Sequence, residues 1–190
     1  MSAISSLIIS APSGTGKTTI LNRLFEIFPE KFSFSVSATT RKKREGEEDG
    51  KHYYFISEEE FKERILQGDF LEYENVYEGL FYGTLKSETE RINSEGRIAV
   101  FDVDVKGGIN IKTQLKDNAF ALFIMPPSVE ELKKRLVNRK TEDENSLQQR
   151  LLRAEMEISY AEKFDNVVVN DDLEKAVSEC KKLIEEKFAL

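Results

Sequence analysis

The chain has 190 residues, a formal charge of −7, a pI near 5.0 and 33% charged residues. That length predicts one domain with a real core and room for inserted subdomains, and the acidic balance argues against a nucleic-acid-coating role. One cysteine (Cys180) and one histidine (His52) exclude an internal disulfide and any Cys- or His-rich metal centre, and no apolar run approaches the ~20 residues of a membrane span.

No signal-peptide pattern precedes the first apolar run, so a cytoplasmic location is expected. That run, Leu7-Ile8-Ile9, is short and β-branched, which predicts a buried strand over 7–10. Residues from Ile20 to Phe25 have helical spacing. Between them lies Ala11-Pro12-Ser13-Gly14-Thr15-Gly16-Lys17-Thr18-Thr19. Its two glycines let the backbone curl so that consecutive N–H groups point at one anion. Lys17 can reach the outer phosphates, and the Thr18 hydroxyl can ligate Mg²⁺. The helix that starts there adds its dipole behind the phosphates. Ala11 stands where the usual pattern has Gly, a position that needs a small side chain more than a positive φ. A nucleoside-triphosphate site built from Ser13, Gly14, Thr15, Gly16, Lys17, Thr18 and Thr19 follows.

A second strand is predicted over 34–37, leaving into Ser37-Ala38-Thr39-Thr40-Arg41-Lys42-Lys43-Arg44. Arginines three apart on a loop suit a second phosphate, although a basic run by itself fits a solvated face as well. The stretch 39–85 is rich in Tyr, Phe and Glu. Strand-like 53–56 and 70–74 flank a helix capped by Ser57 and Glu60 and stopped at Gly68. Turn signals at Gly46, Gly50, Gly79 and Gly83 complete a small, mostly antiparallel insertion. Tyr53 and Tyr82 offer phenolic donors there, and His52 reads as a loop residue without an evident partner.

A third core strand over 98–101 ends in Asp102, the Walker-B arrangement in which a carboxylate holds Mg²⁺ through its water shell. A strand-end acid can also cap the next helix. Further strands are predicted over 119–124 and 167–169. Ser128-Val129-Glu130-Glu131 is a capping box that opens a helix through Val137, and Asp171 or Asp172 caps the last helix, where Cys180 is a small core-edge residue. Residues 138–148 are polar and apolar-poor, the composition of a lid. Strands alternating with helices give an α/β fold: a parallel five-stranded P-loop sheet flanked by helices, with the insertion and the lid added. The expected parts are a core (about 1–36, 86–137 and 149–190), an insertion (about 37–85) and a lid (about 138–148).

Several strings together, SAPSGTGKTT, FSVSATTRKKREGEEDGKHYYF, GDFLEYENVYEGLFYGT, VFDVDVKGG, PPSVEELKKRL and VNDDL, make the chain resemble the guanylate kinases from Ile8 to about Lys187. The resemblance implies transfer of a phosphoryl group from MgATP to GMP, and usually dGMP, to give ADP and GDP. It implies that Arg41, Arg44, Tyr53 and Tyr82 bind the GMP phosphate and that Ser37, Glu72, Thr84 and Asp104 surround the guanine. Lys17 and the loop amides would hold ATP, with Asp102 and Thr18 by the metal and Asn170 near the adenine. Arg139 and Arg150 would meet the transferring phosphoryl group from the lid, so that Lys17, Arg44, Arg139 and Arg150 form the catalytic set. Lys106 and His52 join Ala11 as departures from the family pattern.

The residues support that chemistry on their own terms. Guanine offers N1–H and N2–H₂ as adjacent donors, and an ionised carboxylate is an acceptor-only partner. Glu72 between Leu71 and Tyr73 can read that edge, although the local string fits an exposed edge-strand residue equally well. Phosphoryl transfer needs positioning and charge neutralisation and no covalent intermediate, which fits the arginines and the lack of a Ser/His or Cys/His pair. Expected partners are therefore the small molecules ATP and GMP or dGMP, with no nucleic acid and no membrane, on a monomer or weak homodimer. Two rivals are a non-catalytic guanylate-kinase-like module that binds phosphopeptides and a related P-loop kinase with another phosphate-bearing acceptor.

Overall fold

The structure, a computed structural model, describes residues 4–137 and 144–190. In chain order, β1 (Ser6–Ser10) turns through the glycine loop into α1 (Lys17–Ile27) and β2 (Phe32–Phe34). There follow β3 (Ala38–Thr39), β4 (Tyr54–Phe55), α2 (Glu58–Gln67), β5 (Phe70–Tyr77) and β6 (Leu80–Leu85). The chain then builds α3 (Lys86–Ser94), β7 (Ile98–Asp102), α4 (Val105–Leu115), β8 (Ala119–Met125) and α5 (Val129–Val137). It ends with α6 (Glu144–Ile158), β9 (Asn166–Val169) and α7 (Leu173–Phe188).

Five strands form an all-parallel sheet in the order β2-β7-β1-β8-β9. Every residue of β1 is buried, as a central strand covered on both faces requires. One face packs Ile20, Leu21 and Leu24 of α1 with Ala176, Val177, Cys180 and Ile184 of α7. The other packs Ile92 of α3 and Val105 and Ile111 of α4. Burial pushes the Cys180 thiol up to about 12, so it is an inert core residue. From β1 the chain passes to β2 on one side of the order and from β7 to β8 on the other, with α1 and α4 on opposite faces. The loops after β1 and β7 therefore lie at a switch point, the place where open α/β sheets take ligands.

The second sheet, β4-β3-β6-β5, is antiparallel except for the β3–β4 pair. It has its own small core of Ala38, Phe61, Phe70, Phe81 and Leu85, with Phe61 stacked on Phe70 at 4.4 Å and on Phe81 at 5.2 Å. Gly83, read as a turn signal, is instead a strand residue of β6. A Cβ there would stand 2.8 Å from the Phe70 ring and 3.0 Å from Phe61, so glycine is what lets α2 close onto the sheet.

The second strand of the main sheet is Phe32–Phe34 rather than 34–37. The Ser35 N–H donates to Val100 O and ends that pairing, and two residues later Ser37 O accepts from Tyr54 N in the other sheet. One alternating apolar run therefore serves two sheets. Local capping follows the sequence: Ser57 accepts from Glu60 N, Gly68 is left-handed at φ 73°, Ser128 accepts from Glu131 N, and Asp172 caps α7. Of the stretch read as a lid, 138–143 lie outside the described residues, and 144–148 open α6.

Candidate active site

The loop after β1 curls as its glycines allow, with Gly14 at φ 90° and Gly16 at φ 97°. Thr15 closes the turn, giving both its N–H and its hydroxyl to Pro12 O at 3.2 and 2.7 Å. Asn170, buried at the end of β9, donates its side-chain amide to Thr15 O at 2.7 Å. Arg135 donates to the Asn170 carbonyl at 3.0 Å. A Cβ on Gly16 would come within 2.6 Å of that amide. Asn170 thus acts on the loop as a brace. We expect Asn170→Ala to cost about 1–3 kcal/mol, because it strands a buried carbonyl. Denaturant melts should register that loss together with a raised KM for ATP, and an unchanged midpoint would remove the brace.

Lys17 opens α1, and its ammonium donates to Asp102 Oδ1 and to Val103 O, the latter at 3.0 Å. A cleft of about 480 Å³ extends from the loop past Asp102 and Asp104 to Arg150 and Arg153 on α6. That volume is in the range of small-molecule sites. Thr18 and Thr19 also line it, and Arg150 donates to the Ser13 hydroxyl at 2.5 Å.

A second group gathers around Arg41. Thr39 and Thr40 fix the start of its loop, their hydroxyls donating to Phe81 O and Gly79 O. The Arg41 guanidinium lies 5.4 Å from the Tyr53 ring centre and grips Glu47 through two bonds of 3.0 and 2.7 Å. Arg44 gives its backbone N–H to the same carboxylate at 2.7 Å. Arg41, followed by that N–H, holds the Glu47 carboxyl down at about 2. Tyr53 and Tyr82 meet edge to face at 5.8 Å.

The third group comprises Glu72, Thr84 and Asp104. Thr84 is buried and donates its hydroxyl to Glu72 Oε1 at 2.7 Å. Asp104 caps α4 by accepting from Gly107 N, and its other oxygen takes a bond from Arg153 at 3.0 Å. A Cβ on Gly107 would lie 3.3 Å from Asp104 Oδ1 and 3.4 Å from Glu72 Oε2, so the two carboxylates border the same glycine at the start of α4. Burial raises the Glu72 carboxyl; the Thr84 hydrogen bond opposes this and the Asp104 charge adds to it. No group of three or more Asp, Glu, His or Cys suited to a metal occurs among the described residues.

The guanylate kinase family model matches residues 4–187. The chain belongs to the guanylate kinase family. The guanylate kinase of Salinibacter ruber is 53% identical over 173 residues, 91% of each chain. That of Porphyromonas gingivalis is 49% identical over 183 residues, 96% of this chain and 97% of that one. The crystal structure of guanylate kinase from Anaplasma phagocytophilum superposes with a TM-score of 0.71 at 32% identity, covering 98% of this chain and 88% of that one.

Against the family pattern, Ala11 is buried and keeps φ out of the left-handed region, as a merely small position allows. His52 does have a partner: its Nδ1 accepts from Glu48 N at 3.0 Å, so it closes a local turn. Lys106 is exposed in the first turn of α4. Ser37 is half-buried between the sheets, Arg44 has an exposed side chain, and Arg139 lies outside the described residues. Sequence reasoning missed Glu47, Glu88, Arg153 and Glu157. Glu47 carried one available signal, its place three residues after Arg44 in a basic loop. Arg153 bonds Glu157 at 2.8 Å one turn along α6 and Glu88 bonds Arg91 three residues on, pairs that helical spacing allows. The bonds of Arg153 to Asp104 and of Glu88 to Val36 and Tyr54 are ones that no local spacing announces.

Proposed function

We propose that the chain transfers the γ-phosphoryl group of ATP, held by the loop after β1, to GMP or dGMP held by the second sheet, giving ADP and GDP. The observation that carries this reading is that one chain holds three groups: a phosphate loop with its lysine, an arginine–tyrosine cluster on the second sheet, and the Glu72 and Asp104 carboxylates, of which Asp104 also lines the cleft of the loop. The first suits a triphosphate, the second a monophosphate, and the third the donor edge of guanine. On this reading residues 37–85 form the GMP-binding insertion, 138–148 the lid, and the remainder the core. Relatives near 50% identity named guanylate kinase favour the enzyme over the phosphopeptide module.

Three cations among the described residues of the site already have carboxylate acceptors. Lys17 pairs with Asp102, Arg41 with Glu47, and Arg153 with Asp104. Substrate binding therefore exchanges partners: as Lys17 turns to the ATP phosphates, the Asp102 carboxylate is released. One hydroxyl, Thr18, and one carboxylate, Asp102, suit Mg²⁺, which takes few protein ligands beside waters and phosphate oxygens. Bound there with ATP, Mg²⁺ would neutralise charge on the phosphate oxygens. Lys17 and Arg150 would stabilise the transferring group, with Arg139 as a further candidate, while Arg41, Arg44, Tyr53 and Tyr82 fix the acceptor phosphate.

Among the described residues no helix is long and apolar enough to cross a membrane. We place the protein in the cytoplasm as a monomer or weak homodimer with small-molecule substrates and no nucleic-acid or membrane partner. A coupled assay of ADP formation with GMP, AMP, CMP and UMP as acceptors tests the reading, and turnover with GMP no faster than with the others would overturn it. Arg150→Ala should lower kcat by ~10² or more while KM for GMP changes less than about threefold, the signature of an interaction made in the transition state. Unchanged kcat with raised KM would make Arg150 a substrate-binding residue.

A further inference from the structure

The second sheet joins the rest of the molecule through two connections: residues 35–37, between β2 and β3, and the junction at Leu85, where β6 runs directly into α3. One carboxylate, in the helix that the second connection opens, bonds the first. Glu88 stands in the first turn of α3 and is 2% exposed. Its Oε2 accepts from the Val36 N–H at 3.0 Å, in the first connection. Its Oε1 accepts from the Tyr54 hydroxyl at 2.8 Å, on β4. Arg91, one turn along α3, donates to both oxygens at 2.8 and 3.2 Å and is held in turn by Glu95 at 2.7 Å.

A buried carboxylate is costly unless it is paired and hydrogen-bonded, and this one is both. Burial pushes the Glu88 carboxyl up, but Arg91, the Val36 N–H and the Tyr54 hydroxyl together outweigh it and leave the group below its ordinary range. The charge is therefore kept, and with it four directional bonds that an apolar residue could not make. The next residues along the chain, Ser35 and Thr89, have buried hydroxyls with no hydrogen-bond partner among the described residues, so neither adds to the anchoring. The partners of Glu88 are themselves neighbours of the site. Val36 precedes Ser37, and Tyr54 follows Tyr53. On the other side, α3 packs against β7, the strand that ends at Asp102.

We infer that Glu88 is a positioning residue: it fixes the angle at which the second sheet, with its GMP groups, faces the sheet that carries the phosphate loop. This rests on the assignment of GMP to the second sheet. Glu88 touches none of the residues assigned to substrate, so it acts through Val36 and Tyr54 alone.

Two variants test it, Glu88→Gln and Tyr54→Phe, the second deleting one hydroxyl and leaving the charge in place. Glu88→Gln should raise KM for GMP by ~10-fold and Tyr54→Phe by about threefold, with KM for ATP within about twofold in both. A spin-label pair at Lys62→Cys on α2 and Lys134→Cys on α5, in a Cys180→Ala background, should give a broader distance distribution in Glu88→Gln without nucleotide. A residue that only stabilised the fold would lower the melting temperature and the active fraction, leaving both KM values and the distance distribution unchanged. That result, or unchanged values throughout, overturns the inference. If Glu88→Gln does not fold, Tyr54→Phe decides by the same two readouts. Failure of the wild-type protein to phosphorylate GMP would sink the substrate assignment instead, while the label distances would still report on Glu88.

Discussion

Replacing Lys17 by alanine will nearly abolish phosphoryl transfer while leaving the fold intact. The ammonium leaves the first turn of α1 towards the carboxyl end of β7, where Asp102 and Val103 O hold it. From that position it can turn to phosphate oxygens as negative charge shifts between them. Loss of a preorganised charge of this kind costs ~10²–10³ in rate or more. The fold should tolerate the change because the Asp102 side chain is 36% exposed, so water can replace the lost partner. Turnover at saturating MgATP and GMP, set beside the circular dichroism spectrum, checks both halves. A variant retaining more than half of wild-type turnover would remove the loop from the ATP site.

Base choice should depend as strongly on Glu72. Adenine presents an acceptor at N1 where guanine presents a donor, so against Glu72 it sets a lone pair facing a partly buried carboxylate. Sites built on polar partners reject such mismatches by ~10⁴ or more in favourable cases. Glu72→Gln supplies an amide that can donate or accept, so GMP efficiency should fall by at least ~10²-fold, on the order of two charged hydrogen bonds. The GMP:AMP ratio should narrow, chiefly because GMP is lost. The direction of the Glu72 shift adds a pH signature. Burial, opposed by Thr84 and assisted by Asp104, raises this carboxyl, so it takes up a proton sooner as pH falls than an ordinary glutamate does. The protonated form is a donor facing a donor. Wild-type kcat/KM for GMP should therefore fall with decreasing pH through an inflection above the usual carboxylate range, and Glu72→Gln should lose that inflection. Full GMP efficiency and unchanged selectivity in the variant would make Glu72 a strand residue only, with Asp104 the next candidate reader.

What was legible in the sequence was local. The phosphate loop is one contiguous string whose glycines dictate its backbone, and Asp102 follows from an apolar strand ending in an acid. Caps at Ser57, Ser128 and Asp172 are bonds across three residues, within reach of any reading by spacing. The change of sheet after Phe34 was not legible, because strands of both sheets share one alternating run. Nor was β6, since glycine at Gly83 reads as a turn until Phe61 and Phe70 are seen to press on it. Among the site residues, Asp104 was placed by family resemblance, but its bond to Arg153 spans 49 positions. Glu88 meets Val36 across 52 and Tyr54 across 34. Contacts of that length are properties of the topology, and spacing rules do not reach them.

The prior pairing of Lys17, Arg41 and Arg153 with carboxylates of the same chain makes each of those acceptors a tethered competitor for the incoming anion. A tethered group acts at a high effective concentration that dilution does not lower. A free anion meeting only one of these cations must displace its local carboxylate with little in return, so inorganic phosphate or sulfate gains small purchase. A nucleotide that engages several cations and a base-reading pocket at once can displace them together. These intramolecular carboxylates thus screen ligands by the number of contacts each can make at once, before any chemistry begins.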